Sequence, residues 1–286
     1  MFRLDPHGEG DFDLVVTGDW TREAANVIAS GKASGLVLNY ARGFGERDLH
    51  FLEGLPIKRL DVLARTISDV APIETLAATL QELSLQVSPR ARVDLGLFPE
   101  LRVLGVAWEQ IENTIGDAYA LEKLFLLSYR APSLEALASV PTLSSIAMKD
   151  WPSLSSLDGL ERFSNLRSLE VYLARELEDI SALTAPNARA LTKLALEGCR
   201  NFPDLVPVGN CAGLEELNVS ECGDFPTLRP LGGLDSLRRL LIYGQTRIGD
   251  GDLSPLIGLP HLVELRMQQR RNYRPTVQDV QNAILA

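Results

Sequence analysis

Three thiols and three imidazoles are the side chains best suited to chemistry in this chain of 286 residues. Cys199, Cys211 and Cys222 bound and divide a single stretch, CRNFPDLVPVGNCAGLEELNVSEC. A zinc site would draw on thiolates paired as CxxC, with imidazole close by. Here the cysteines are 12 and 11 residues apart, and His7, His50 and His261 are scattered. Three is also an odd number for a disulfide framework. Neither metal nor cofactor is expected. The chain has no G-x-S-x-G, no phosphate-cradling G-x-x-x-x-G-K-[ST], no H-E-x-x-H and no dinucleotide fingerprint. The two close acids of GDGDLS (249–254) lack the spacing of a calcium loop. No catalytic residue is assigned, and the chain is not expected to be an enzyme.

The cysteines make sense once the elements around them are read. The pattern L-x-x-L-x-L, with apolar substitutes, begins at Ala33, Ile57, Leu80, Leu101, Leu121, Leu143, Leu166, Leu191, Leu214, Leu237 and Leu262. The period is 20 to 25 residues. Cys199 and Cys222 both hold the ninth position, 23 residues apart, and Cys211 holds a later inward slot. Apolar residues at positions 4 and 6 carry the period-2 mark of a short strand. Beyond the strand, apolar residues recur at every third place. The copy from Leu143 continues Met148, Trp151, Leu154, Leu157, Leu160, Phe163. That spacing suits 3-10 turns with one edge inward. No single copy can bury its apolar face alone, so the copies must stack and share a core.

The repeat resembles the leucine-rich repeat superfamily. Its short length, with Asp in ISDVAP (67–72), LEDISAL (177–183) and GDLSPLIGL (251–259), is similar to the bacterial internalin type. The resemblance spans about Ala33 to Met267 and is specific for fold. It implies an α/β, right-handed curved solenoid of about eleven repeats. A parallel sheet would line the concave face and 3-10 or irregular chain the convex side. It also implies that the ninth-position cysteines hydrogen-bond the turn after each strand, and that the chain binds protein. Residues 1–32 read as an N-terminal cap, FDLVVTGDW as a strand and TREAANVIASG as a helix with Thr21 as N-cap and Gly31 as stop. Residues 33–267 are the repeats. Residues 268–286 read as a helical C-terminal cap, with Thr276 and Asp279 in a capping-box arrangement.

Hydrophobic residues make up 45% of the chain, enough for a sizeable core, and charged residues 23%, too many apolar neighbours for disorder. The net charge of −10 repels phosphate backbones, so nucleic acid is not expected as a partner. The same field favours a basic protein. MFRLDPHGEGDF has no apolar core of a secretory signal, and no apolar run reaches the roughly 20 residues of a membrane helix. Internalins are exported and anchored; this chain is expected in the cytoplasm.

Positions 3, 5 and 7 of each strand should face outward. Position 3 reads Lys193, Glu216, Arg239, Glu264 over four successive copies, an alternation that predicts a charge ladder. Val103, Trp108, Phe125 and Leu127 should form an apolar patch, extended by Tyr172 and joined on the same face by Tyr243. Large aromatics at such a patch are favoured interface anchors. Glu170 and Glu197 beside it would be steering charges. The expected function is a non-catalytic module that binds a partner protein through the concave face. Two narrower alternatives are an immunity or inhibitor protein for a basic toxin or nuclease, and a self-associating scaffold.

Overall fold

The computed structural model describes residues 1–8 and 10–285. It divides into two compact units, Met1–Leu126 and Leu127–Ala286. Each of the eleven copies forms a strand that starts at position 3. In the first unit these are β3 (Gly35–Asn39), β4 (Arg59–Leu63), β5 (Glu82–Gln86) and β6 (Val103–Ala107). They follow β1 (Phe2–Pro6) and β2 (Phe12–Val16). Strand β7 (Lys123–Leu127) carries the chain from the first unit into the second. The second unit holds β8 (Ser145–Lys149), β9 (Ser168–Tyr172), β10 (Lys193–Glu197), β11 (Glu216–Asn218), β12 (Asp224–Phe225), β13 (Arg239–Ile242), β14 (Arg247–Ile248) and β15 (Glu264–Met267).

The strands form because positions 4 and 6 have somewhere to go. Leu36, Leu60 and Leu83 lie in register on β3, β4 and β5, and each is at most 2% exposed. Stacked like positions make a continuous apolar wall, and the parallel ladder follows from the repeat. In the second unit Leu169, Leu194, Leu217, Leu240 and Leu265 continue the same logic along β9, β10, β11, β13 and β15. After most strands the chain returns through short 3-10 segments such as Leu134–Leu137, Ser181–Thr184 and Arg229–Gly233. The aspartates of the repeat start several of these segments. The Oδ1 atoms of Asp69, Asp179 and Asp252 accept the N–H two residues on, from Ala71, Ser181 and Ser254, at 3.0, 2.7 and 3.0 Å. This is the local turn bond that makes Asp favourable where a strand must become a helix-like turn.

The front of the first unit holds more strand than expected. β1 pairs antiparallel with β2, and β2 pairs parallel with β3. Helix α1 (Arg22–Ala29) buries Ala24 and Ile28 and is capped by Thr21, which accepts from Ala24 N. Arg59 at position 3 of β4 reaches back to this end, donating to Asp11 Oδ2 and Asp13 Oδ1, both at 2.8 Å. A Cβ at Gly35 would collide with the Asp13 carboxylate. Glycine there is what lets Arg59 and Asp13 meet across β3. At the other end, the second unit carries α2 (Ser254–Ile257) and α3 (Val277–Ile284). Thr276 and Asp279 form a reciprocal capping box on α3. Two short strands, β12 and β14, pair as a second sheet that the repeat pattern does not announce. Among the described residues no helix is long and apolar enough to cross a membrane.

Candidate functional site

The strand face of the second unit is built from side chains at odd positions on β9, β10, β11, β13 and β15. Glu170 on β9 accepts the Tyr172 hydroxyl at 2.6 Å, and its Oε2 lies 3.0 Å from Lys193 Nζ on β10. Lys193 also faces Glu216 at 3.8 Å. Arg239 on β13 then bridges Glu216 at 3.2 Å and Glu264 at 3.1 Å, and Arg266 closes on Glu264. The ladder of alternating sign is therefore present, and it extends by one carboxylate, Glu170, beyond the four position-3 residues. Burial would raise the Glu170 pKa, but hydrogen bonds from Tyr172 and Lys193 outweigh it and hold the carboxyl below its ordinary range. Burial and the adjacent carboxylate push the Tyr172 hydroxyl up, so it stays a donor. Glu197, in register with Tyr172, accepts Asn218 Nδ2 at 2.7 Å.

A second arrangement lies just past the C-terminal ends of these strands. Position 8 takes a left-handed conformation in six successive copies: Ser128, Asp150, Leu173, Gly198, Glu221 and Gly244, with φ between 53° and 72°. Four of the six are not glycine, and such residues rarely adopt this region. The turn throws position 8 outward and returns position 9 to the core. Tyr129, Ala174, Cys199 and Cys222 are accordingly buried at position 9. Trp151 and Gln245 are the exceptions, both exposed. Both Asp150 and Trp151 have positive φ, so the indole is carried outward to 45% exposure and Pro152 is buried in its place. The expectation that Trp151 faces the core is corrected by this double turn. Arg175 lies on the ring with its guanidinium carbon 3.9 Å from the centroid. Trp151, Leu173, Arg175, Arg200, Asn201 and Glu221 line a cleft of about 490 Å³.

The cysteines are part of the same turns. Cys222 Sγ donates to Leu196 O at 3.0 Å and Cys199 Sγ to Val171 O at 3.7 Å, each reaching the preceding copy. All three thiols are free and buried. Burial pushes Cys199 and Cys211 up to about 12.

No model of a protein family matches the chain, and no curated protein matches it in sequence. Solved structures do. An internalin from Listeria monocytogenes aligns over 87% of this chain and 72% of its own, at 18% identity and a TM-score of 0.60. A leucine-rich repeat protein of Leptospira interrogans aligns over 91% and 78%, at 14% identity and 0.50. The mouse RP105/MD-1 complex aligns over 90% of this chain and 45% of its own, at 18% identity and 0.58. The fold is the leucine-rich repeat fold.

Within the leucine-rich repeats, the residues singled out from sequence take different places. Val103 and Phe125 are half-buried on the strands of the first unit, and the Phe125 ring edge adjoins Gly105. Leu127 is half-buried in the second unit. Trp108 is only 5% exposed, which corrects its assignment as a surface anchor. In its repeat the strand runs straight into a 3-10 segment, Trp108–Gln110, and Gln110 Oε1 accepts from Ala107 N at 3.1 Å. Without the left-handed turn of the second unit, position 8 folds inward. Tyr172 and Glu170 are brought together, with Glu197 beside them, but Lys149 covers the Tyr172 ring at 4.8 Å. Tyr243 stands apart at the rim, 37% exposed. The sequence reading missed the cleft. Its signal was Arg at position 10 in two successive repeats, Arg175 and Arg200, beside a position 8 that is elsewhere glycine.

Proposed function

We propose that the chain is a non-catalytic module that binds another protein through the strand face of its repeats. The observation that carries this reading is the row from Glu170 through Lys193, Glu216 and Arg239 to Glu264, whose side chains hold one another in fixed positions. A surface of this kind is pre-organised and broad, which suits a partner of protein size better than a small substrate. Tyr172, Glu170 and Glu197 are the contacts at one end of the row, Tyr243 lies at its rim, and Leu127 is an apolar contact of the same unit; Val103 and Phe125 are apolar contacts on the strand face of the first unit, taken by itself. The RP105/MD-1 pairing shows a protein of this fold in a protein complex, which supports the reading by likeness of fold. The segments 1–32 and 268–286 serve as end caps, and three buried thiols suit a reducing compartment such as the cytoplasm.

A pull-down from native lysate with wild type and a Tyr172→Ala/Glu197→Lys double variant tests the proposal. A partner recovered only by wild type, with the variant folded by circular dichroism, supports it. Equal recovery moves the site off this face. The net charge of −10 favours a basic partner, as an inhibitor of a basic toxin or nuclease would have. Capture that is indifferent to salt would refute that narrower form.

A further inference from the structure

We propose that the rim cleft of the second unit binds an extended acidic peptide segment of a protein partner, its carboxylates on Arg175 and Arg200 and an apolar side chain against Leu173. The site lies beyond the strand ends and is separate from the strand face, so it stands or falls on its own.

Charge carries the argument first. On the strand face Lys193 and Arg239 each face two carboxylates. At the rim, among the described residues, no carboxylate lies within ion-pair distance of Arg175 or Arg200. The cleft has an acid of its own, Glu221, but that carboxylate is turned away. It accepts Gln245 N at 3.2 Å and packs where a Cβ of Gly244 would be. The acidic excess of the chain also lies elsewhere. Residues 1–126 carry 12 Lys and Arg against 19 Asp and Glu, whereas residues 127–286 carry 16 against 19.

Geometry carries it second. Arg175 sits over Trp151, its guanidinium carbon 3.9 Å from the ring centroid, and Arg200 is anchored by Nε to Glu221 O at 3.3 Å. Both forks are therefore positioned before any ligand arrives, which lowers the ordering cost of pairing with carboxylates. Asn201 Nδ2 donates to Arg175 O at 2.7 Å and fixes the backbone between them. Leu173 is 39% exposed and leans over Gly198, giving an apolar shelf beside the two cations. Asp150, Trp151, Leu173 and Glu221 all hold left-handed backbone around this cleft, the kind of strain that marks binding sites. Trp and Arg are also the types that dominate binding hot spots. A single polyanion is disfavoured because the apolar half of the cleft would stay unfilled and the chain as a whole is acidic.

Random short peptides would be selected on the purified full chain by display, and the winners measured by fluorescence anisotropy. The expected winners carry Asp or Glu next to Leu, Met or Phe, and lose about tenfold in affinity to Arg175→Ala or Arg200→Ala. Replacing their acids by Asn or Gln should cost as much on wild type, a comparison that holds even where a variant misfolds. Winners without acids, winners bound equally by the folded variants, or no winners at all would overturn the proposal. So would a fluorescein-labelled oligouridylate that binds wild type and is lost in the same variants, which would make the site one for single-stranded RNA.

Discussion

Cys199, Cys211 and Cys222 are poor nucleophiles for a reason visible at atomic distance. Their hydrogens have carbonyl partners or apolar walls, and an ordinary thiol pKa near 8.5 is pushed up to about 12 at Cys199 and Cys211. At pH 8, Ellman's reagent should leave the native thiols unreacted and titrate all three only in denaturant. One fast thiol in the native protein would contradict the turn-bond role. Asp11 behaves in the opposite sense. The hydrogen bond from Arg59 outweighs burial and holds its carboxyl well below the usual range. A carboxyl whose folded pKa is depressed stabilises above its unfolded value, about 3.9, and loses that contribution as pH falls toward the folded value. Asp11→Asn should therefore unfold at a lower temperature than wild type at pH 6, with the gap closing as the pH drops below about 4. A gap that stays constant with pH would assign the loss to packing.

At the level of elements, the strands were legible because burial at positions 4 and 6 leaves a mark on residue type. Leu194, Leu217 and Leu240 have no alternative place to be. Strand β1 was not legible: FRLDP alternates weakly and gains its pairing from β2, through a hairpin that carries no repeat signature. The rim turn was hidden for another reason. Backbone sign is a property of φ, and Ser, Asp, Leu and Glu at position 8 do not advertise it; only Gly198 and Gly244 do. The same count that puts Trp108 outward fails because its repeat closes with a 3-10 segment instead. A non-glycine residue in this region costs about 1–2 kcal/mol. Leu173→Gly should relieve part of that, giving unchanged or higher stability in urea while removing the apolar shelf of the cleft. Helix α3 depends on its cap, and Thr276→Ala should cost about 1 kcal/mol by the same measurement. Reversing the charge at Lys193 with Lys193→Glu would place carboxylates in succession from Glu170 to Glu216. The variant should be destabilised at pH 7 and recover near pH 4, where carboxylates begin to protonate.

Across the whole molecule, stability comes from many copies of one contact, since each repeat is held by its neighbours. Leu217 is fully buried and paired in register with Leu194 and Leu240. Leu217→Ala should cost about 2–5 kcal/mol in chemical denaturation. A loss much smaller than that would mean the repeats around it unfold independently. The alternating row of Lys193, Glu216, Arg239 and Glu264 has one more consequence, which concerns how such a chain can grow. Copying a single repeat of this row would set like beside like, Glu against Glu or Arg against Arg. Copying two adjacent repeats together preserves the order of sign. Length in this part of the chain is thus subject to a parity rule: it can be extended or shortened freely in even steps, and only with a compensating substitution in odd ones.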